Sequence, residues 1–285
     1  MAEENIVNIS LKNEYASYPG LLYKMLTYKK IIKPTRIDFG NHKAQYFLYF
    51  EPTNKLSDKV IIYIHGGGWN SGGPSMFKFI GQKFALSGYT CIVVGYRKAP
   101  SYLFKEQMED ICNGYKSVVD FLKEKKINNN KIIITGSSAG AHLGALLCYN
   151  IDIHQQYEVN TEHIAGYIGL GGPFHFNGKN TRTLWKLATG LFGKEKNWEI
   201  GEPFSKLSKG QKIQMLLIHS KRDEVVCYEN ALDFYEKAVL CEIPATLYTV
   251  LPKADNHSSY SAGIFLEERD NCKTLDELLN WIEKI

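Results

Sequence analysis

The feature that most constrains this chain is a short apolar run that ends in a serine flanked by small residues. The run Ile132–Thr135 continues as GSSAG (136–140) and then into a segment rich in Ala and Leu. This pattern predicts a strand, a sharp turn and a helix. In a Gly-x-Ser-x-Gly turn the serine stands exposed above the sheet, and the glycines keep Cβ atoms out of the bend. Ser138 is therefore a candidate nucleophile, with a simple strand-to-helix connection as the alternative.

The alternation of elements along the chain predicts an α/β fold. The chain has 285 residues, and strand-like apolar runs alternate with helix-like segments along most of it. Such alternation predicts a mostly parallel central sheet with helices on both faces. We expect a single domain over residues 1–285. Residues 173–210 break the alternation, so we interpret them as a small cap insertion whose aromatic side chains either line a pocket or pack against the body.

Composition narrows the classes of partner. The net charge of +4 is small, and the densest basic run (123–126) stands at a predicted helix end, so we expect no nucleic-acid site. Six scattered cysteines lack metal-ligand spacing, so we expect no metal or cofactor and favour a reducing compartment, although their even number leaves disulfides open. No apolar run reaches the roughly 20 residues of a membrane span, and the acidic N-terminus is unlike a signal peptide. These features favour a cytoplasmic protein and leave the oligomeric state open.

A glycine-rich loop follows the first clear buried strand, predicted at residues 59–64. The loop reads HGGGW over residues 65–69. Because each glycine raises the entropy cost of ordering the chain, consecutive glycines indicate that the backbone itself is used. Fixed N–H donors aimed at an oxyanion accelerate acyl transfer by about 10²- to 10³-fold. We expect Gly67, Gly68 and Ala139 to supply these donors, because the loop lacks the Lys and Ser/Thr of a phosphate loop; a flexible turn is the alternative.

A serine nucleophile needs a base and an acid, and the ends of the last two predicted strands offer both. Asp223 follows the strand predicted at 214–218, and His257 follows the strand predicted at 245–251. In a parallel sheet, reactive groups gather beyond the carboxyl ends of the strands. The order Ser, Asp, His is also the order that this type of serine turn predicts. We therefore predict Ser138, Asp223 and His257 as a catalytic triad.

Other residues compete for these roles. Glu224 is an alternative acid, whereas Asp255 is better explained by the shape of its loop. His142 stands one helical turn after Ser138, away from the exposed hydroxyl, so we expect it to have a packing role. His65 is expected to support its own glycine loop. The histidines that lack a strand-end position are His154, His163 and His175.

Together these motifs resemble the α/β-hydrolase fold, and within it the esterase/lipase branch of hormone-sensitive lipase and feruloyl-esterase-like carboxylesterases. The resemblance rests on HGGGW, GSSAG and the downstream Asp and His, and it extends from about residue 58 to the C-terminus. YRKAP at residues 96–100 is similar to the YRLAP segment of that branch. The resemblance implies the same triad and the same oxyanion donors as the spacing does.

The resemblance implies a serine carboxylesterase that hydrolyses a small-molecule ester of small to medium acyl length through an acyl-enzyme. The chain departs from the pattern of that branch at Gly95, Ser137 and Ala141. The chain also resembles kynurenine formamidase, which has a HGGxW loop and the same triad order, so an N-formyl amide is the alternative substrate. A ligand receptor on the same scaffold is the non-enzyme alternative, but such proteins typically lose a triad member.

Overall fold

The computed structural model describes residues 5–193, 198–251 and 255–285. The strands in these residues are β1 (Ile6–Val7), β2 (Thr35–Asp38), β3 (Tyr46–Phe50), β4 (Val60–Ile64), β5 (Thr90–Val94), β6 (Ile132–Ser137), β7 (Ile164–Leu170), β8 (Asn180–Thr181), β9 (Gln214–His219) and β10 (Ala245–Thr249). The helices are α1 (Lys12–Thr27), α2 (Lys78–Leu86), α3 (Phe104–Glu124), α4 (Ala139–Tyr149), α5 (Ile151–Tyr157), α6 (Arg182–Phe192), α7 (Glu229–Leu240), α8 (His257–Ser261) and α9 (Lys273–Lys284).

The described strands form an eight-stranded sheet in the order β10-β9-β7-β6-β4-β5-β3-β2, and β1 pairs separately with β8. The sheet is parallel from β10 to β5, whereas β3 pairs antiparallel with both β5 and β2. At the carboxyl end of β4, Ile64 pairs with Val94 on one side and Gly136 on the other. The segments that follow these strands therefore emerge at one edge of the sheet. This topology confirms the predicted mostly parallel α/β architecture.

Helices cover both faces of the sheet, because its central parallel strands are apolar on both sides. On one face, α3, α4, α6 and α7 pack into a core that includes Ile111, Leu143 and Phe234. On the other face, α2 and α9 pack into a second core that includes Phe84 and Leu279. All five residues of β4 are buried, as expected for a strand between two helical layers. The site is therefore built on a scaffold with a core on each side.

Most predicted elements lie where the pattern placed them. The helix predicted over 105–126 spans Phe104–Glu124, and the strand predicted over 164–170 spans Ile164–Leu170. The pattern did not predict α1, which contains Pro19 and whose one buried residue is Glu14. Apolar residues lie on more than one face of α1, since Leu22 and Leu26 are exposed, and an internal proline is atypical of a helix, so the sequence shows no single clear apolar stripe. The structure, and not the sequence pattern, therefore identifies α1 as a helix.

Residues 173–210 hold β8, α6 and two short 3₁₀ turns, and residues 194–197 lie outside the described part of the chain. Phe174 and Phe176 are fully buried. Phe174 stacks on Phe234 of α7 at 4.7 Å, and Phe176 lies 5.4 Å from the ring of His142. Phe174 and Phe176 therefore pack against the body of the protein, which is the second of the two interpretations given to these aromatic residues.

The sequence left disulfides open and contained no apolar run long enough for a membrane span. All six cysteines are buried and free, so the structure shows no disulfide among them. Among the residues that the structure describes, no helix combines the length and the apolar character needed to cross a lipid bilayer.

Candidate active site

Ser138 occupies a strained turn between β6 and α4. Its φ of 52° and ψ of −119° lie in a region that non-glycine residues rarely adopt. Its N–H donates to the carbonyl of Leu170 in the neighbouring strand, at 2.7 Å. A Cβ on Gly140 would lie 2.0 Å from the carbonyl oxygen of Ile64, and one on Gly136 would lie 2.5 Å from the Gly140 backbone. Glycine at both positions therefore allows the close approach that raises Ser138 above the sheet.

Asp223 and His257 meet beyond the ends of β9 and β10. Nδ1 of His257 lies 2.7 Å from Oδ2 of Asp223. The other carboxylate oxygen accepts the N–H groups of Val225 and Val226, each at 2.8 Å, and the hydroxyl of Tyr260 donates to Oδ2. The carboxylate is therefore held from several sides. A proton on Nδ1 that is donated to Asp223 leaves the lone pair of the imidazole on Nε2.

The two side chains favour each other's charged forms. Burial opposes protonation of His257, but the carboxylates of Asp223 and, to a smaller extent, Glu14 together outweigh it and raise the pKa of the imidazole above its ordinary value. Burial likewise opposes ionisation of Asp223, but His257, with His219 and the Tyr260 hydrogen bond, outweighs it and lowers the pKa of the carboxyl. A proton taken up by the imidazole is thus stabilised by the neighbouring carboxylate.

Ser138 and His257 line the same cavity, which has a volume of about 440 Å³. The glycine loop contributes Gly66–Gly68 to its wall. The N-terminal segment contributes an apolar wall consisting of Leu11, Tyr15, Tyr18, Leu21 and Met25. Residues 173–210 add Thr183 and Leu187 of α6. The hydroxyl and the imidazole therefore face a largely apolar chamber. More side chains of this chamber come from α1 than from residues 173–210.

The glycine loop is fixed by its own carbonyl groups. The carbonyl of Gly67 accepts the N–H groups of Asn70 and Ser71 and the hydroxyl of Ser71, at 2.8 to 3.2 Å. Gly67 has φ of 119° and Gly68 has φ of 58°, which are values that glycine adopts readily. A Cβ on Gly67 would lie 2.5 Å from the Ser71 carbonyl. The loop therefore requires glycine at Gly67 and presents its backbone to the cavity.

His65 lies under this loop. Its Nδ1 is 2.7 Å from the carbonyl oxygen of Gly66, and its ring stacks on Tyr96 at 4.5 Å. Burial lowers the pKa of His65 well below its ordinary value, so the ring is neutral and its Nδ1–H donates to Gly66. Nζ of Lys98 lies 3.2 Å from the other ring nitrogen, and burial lowers the pKa of this lysine to about 7. The histidine thus holds the backbone at the start of the glycine loop.

The alternative acid, Glu224, forms hydrogen bonds with the N-terminal segment. Its Oε1 accepts Nδ2 of Asn13 at 2.6 Å, and its Oε2 accepts the N–H of Glu14 at 2.9 Å. Asp255 faces Arg222 at 3.5 Å, on the surface. Neither residue is bonded to His257 in the described structure, whereas Asp223 is.

The competing histidine, His142, is fully buried one turn down α4. Its Nδ1 accepts the indole N–H of Trp69 at 3.2 Å, and its Nε2 donates to the carbonyl of Gly201 at 2.6 Å. Burial lowers the pKa of His142 to about 4, so the ring is neutral. Both nitrogens are therefore used in packing.

A second histidine–aspartate pair lies outside the cavity. Nδ1 of His175 is 2.7 Å from Oδ2 of Asp233, and the imidazole stacks on Phe204 at 4.0 Å. Neither member of this pair lines the chamber of Ser138.

Among the described residues, no cluster of three or more His, Cys, Asp and Glu side chains has an arrangement that could hold a metal ion.

Sequence reasoning missed the part of the site that α1 supplies. Glu14 is fully buried beside the first turn of α8, where it accepts the N–H of Ser258 at 3.2 Å. Outward-facing apolar residues of the same helix, such as Leu22 and Leu26, are more than half exposed. The one local signal is an acidic residue in the first turn of a helix, which is too common to identify a site.

Comparisons with known proteins agree with this architecture. A family model described as BD-FAE matches residues 47–238. The probable isoprenylcysteine alpha-carbonyl methylesterase ICMEL2 of Arabidopsis thaliana is 24% identical over 144 residues, covering 49% of this chain and 34% of that protein. Esterase LipC of Mycobacterium tuberculosis is 24% identical over 246 residues, covering 80% of this chain and 60% of that protein. The chain thus spans less than two thirds of the length of either curated relative.

The fold also matches that of a solved esterase. Esterase B from Lactobacillus rhamnosis superposes with a TM-score of 0.78 at 15% identity, covering 96% of this chain and 92% of that one. At this identity the likeness shows the fold, and the family model covers about two thirds of the chain. The chain therefore belongs to the BD-FAE family and has the α/β-hydrolase fold of esterases and lipases.

Proposed function

We propose that this protein hydrolyses carboxylic esters of small to medium acyl length, with Ser138 as nucleophile, His257 as base and Asp223 as the acid that orients the base. The observation that carries the proposal is the 2.7 Å contact between His257 and Asp223 at the wall of the cavity that Ser138 also lines. The names of the relatives add support, since LipC is called an esterase and ICMEL2 a methylesterase.

The proposed reaction proceeds through an acyl-enzyme. Nε2 of His257 takes the proton of the Ser138 hydroxyl while the oxygen attacks the ester carbonyl. The protonated imidazole then gives this proton to the alcohol as the carbon–oxygen bond breaks. Water repeats the sequence on the acyl-enzyme and releases the acid. Because Asp223 raises the pKa of His257, the imidazolium that forms in each step is stabilised.

The N–H groups of Gly67, Gly68 and Ala139 are the proposed donors to the oxyanion. Ala139 begins α4 directly after the nucleophile, at the end of the helix where N–H groups lack intrahelical partners. The hydrogen bonds among the described residues use the carbonyl of Gly67 and leave its N–H and that of Gly68 available. Donors fixed before the reaction need no rearrangement when charge develops on the oxygen.

The chamber supports the proposed substrate size. A volume of about 440 Å³ is within the range of small-molecule sites, and the side chains of α1 and α6 make its wall largely apolar. We also propose that residues 1–285 form one domain and that residues 173–210 act as a cap insertion. Support for the cap comes from Leu187, which reaches the cavity beside Gly68.

Replacing the nucleophile tests the proposal. We expect Ser138→Ala to lower the rate of hydrolysis of p-nitrophenyl acetate and butyrate to the residual level that oxyanion binding alone supports. The adjacent Ser137→Ala is the matched control, and it should keep most of the turnover. Unchanged hydrolysis by Ser138→Ala would contradict the assignment. Assaying N-formylkynurenine beside the esters measures whether the same nucleophile prefers a formamide.

A further inference from the structure

The first turn of α1 connects the two loops that carry the proposed acid and base. Glu224, next to Asp223, accepts the N–H groups of Asn13 and Glu14, at 3.4 and 2.9 Å. No side chain of α1 itself caps this helix end, so the carboxylate of Glu224 satisfies N–H groups that the helix leaves unpaired. The acid loop is therefore attached to the N-terminus of α1.

The base loop is attached to the same turn. The carboxylate of Glu14 accepts the N–H of Ser258, at 3.2 Å for one oxygen and 3.3 Å for the other, and it also accepts the Ser258 hydroxyl. Ser258 follows His257 directly in the first turn of α8. Together with the bond between His257 and Asp223, these contacts close a ring that runs from the acid loop through α1 to the base loop.

The charge of Glu14 matters beyond these contacts. Its side chain is fully buried, and its donors in the described structure are neutral groups of Ser258 rather than a Lys or Arg. A buried carboxylate without a cationic partner favours positive charge nearby. The imidazole of His257, which lines the same cavity, is a group that acquires such a charge during the proposed reaction.

We propose that Glu14 is a positioning residue for His257, fixing the first turn of α8 through Ser258 and supplying a second carboxylate to the imidazolium. This inference rests on the proposed function and extends it to a residue near the start of the chain. The role belongs to a helix that lies outside residues 47–238, the part that the family model matches.

Several titratable groups surround His257 or contact the carboxylates beside it. Asp223 bonds to its Nδ1, and His219 of β9 lies 3.5 Å from the same carboxylate. Tyr260 of α8 donates to Asp223, and Tyr18 of α1 lies beside Glu14. Burial lowers the pKa of His257, whereas Asp223 first and Glu14 second raise it. Removing the charge of Glu14 should therefore lower this pKa, with the Asp223 bond intact.

Glu14→Gln tests the inference, because the amide keeps the shape and one acceptor but not the charge. We expect kcat to fall about tenfold, as for a lost hydrogen bond to a charged group, with little change in KM. We expect the acid-limb midpoint of kcat/KM to move to lower pH. NMR titration of the His257 ring in the resting enzyme should show the same shift, and this readout needs no turnover.

Two further variants separate charge from mere anchoring. Ser258→Ala keeps the Glu14 charge, so it should lower kcat and leave the midpoint in place. Lys24→Ala removes the contact of Lys24 with Glu267 at the other end of α1, and it should change neither quantity. An unmoved His257 titration in Glu14→Gln, or an equal shift in Lys24→Ala, would overturn the inference. Failure of the proposed function would instead appear as retained turnover in Ser138→Ala.

Discussion

Two histidine–aspartate pairs in this molecule have the same contact distance and opposite surroundings. In both pairs Nδ1 lies 2.7 Å from a carboxylate oxygen. The side chains of His257 and Asp223 are 8% and 0% exposed, and His257 lines the cavity of Ser138. The side chains of His175 and Asp233 are 19% and 31% exposed, and neither residue lines that cavity. A short contact between imidazole and carboxylate therefore does not define a site.

The difference lies in what surrounds each carboxylate. Asp223 also accepts two backbone N–H groups and the Tyr260 hydroxyl, so its direction is set before any substrate binds. The pair of His175 joins the segment after β7 to α7, and its ring stacks on Phe204. Such a partly exposed pair contributes roughly 0 to 1 kcal/mol to stability. The first pair is thus buried and fixed by further hydrogen bonds, whereas the second joins two segments near the surface.

Removing each histidine gives the largest contrast. We expect His257→Ala to lower kcat for p-nitrophenyl butyrate by about 10⁶-fold, as when the base of a serine hydrolase is lost. His175→Ala should leave kcat unchanged. Steady-state assays of both variants, with circular dichroism to verify folding, measure the contrast. Equal losses in the two variants would remove the distinction between the pairs.

Replacing each aspartate by asparagine gives a smaller contrast. The asparagine at position 223 can donate to Nδ1, which favours the wrong imidazole tautomer, so we expect kcat to fall about 10⁴-fold. Asp233→Asn makes the same change in the other pair and should leave kcat at the level of the unmodified protein. A fall of similar size in Asp233→Asn would contradict the assignment of Asp223 as the acid.

The pH dependence of the reaction gives the smallest effect. His257 must be neutral to accept the proton of Ser138, so kcat/KM should rise with pH through the pKa of this imidazole. Because Asp223 and Glu14 together outweigh burial and raise that pKa, we expect the midpoint above pH 6.5. Asp223→Asn should move the midpoint to lower pH, whereas Asp233→Asn should not. A pH profile of kcat/KM for the three proteins measures these shifts, and a midpoint well below 6.5 in the unmodified protein would contradict the electrostatic account.

The sequence predicted the fold and the elements around Ser138 because both depend on local pattern. Consecutive apolar residues define β6, and small residues define the turn that follows. Asp223 and His257 were identifiable because strand ends gather at one edge of a parallel sheet. The sequence favoured Asp223 over Glu224 as the partner of His257, and the two side chains are in contact. It did not predict that Glu224 is bonded to α1, because this contact depends on side-chain directions in the folded loop.

The contribution of α1 to the site could not be predicted from the sequence pattern for a different reason. Its buried residue is a carboxylate, its apolar residues line the cavity on one side and stay exposed on another, and Pro19 interrupts the pattern, so no single apolar stripe marks the helix. Glu14 is buried by contacts with residues more than 200 positions away, in the loops of Glu224 and Ser258. Long-range polar contacts of this kind leave no periodic trace in a sequence.

The central claim is that Ser138 is the activated hydroxyl of this chamber. Labelling with a fluorophosphonate, followed by peptide mapping with mass spectrometry, tests it directly, because the probe reacts with a serine activated by its base. The account predicts one phosphonylated peptide that carries the label on Ser138, and loss of this label in His257→Ala but not in His175→Ala. A label on another residue, or ester hydrolysis by a protein whose Ser138 stays unlabelled, would contradict it.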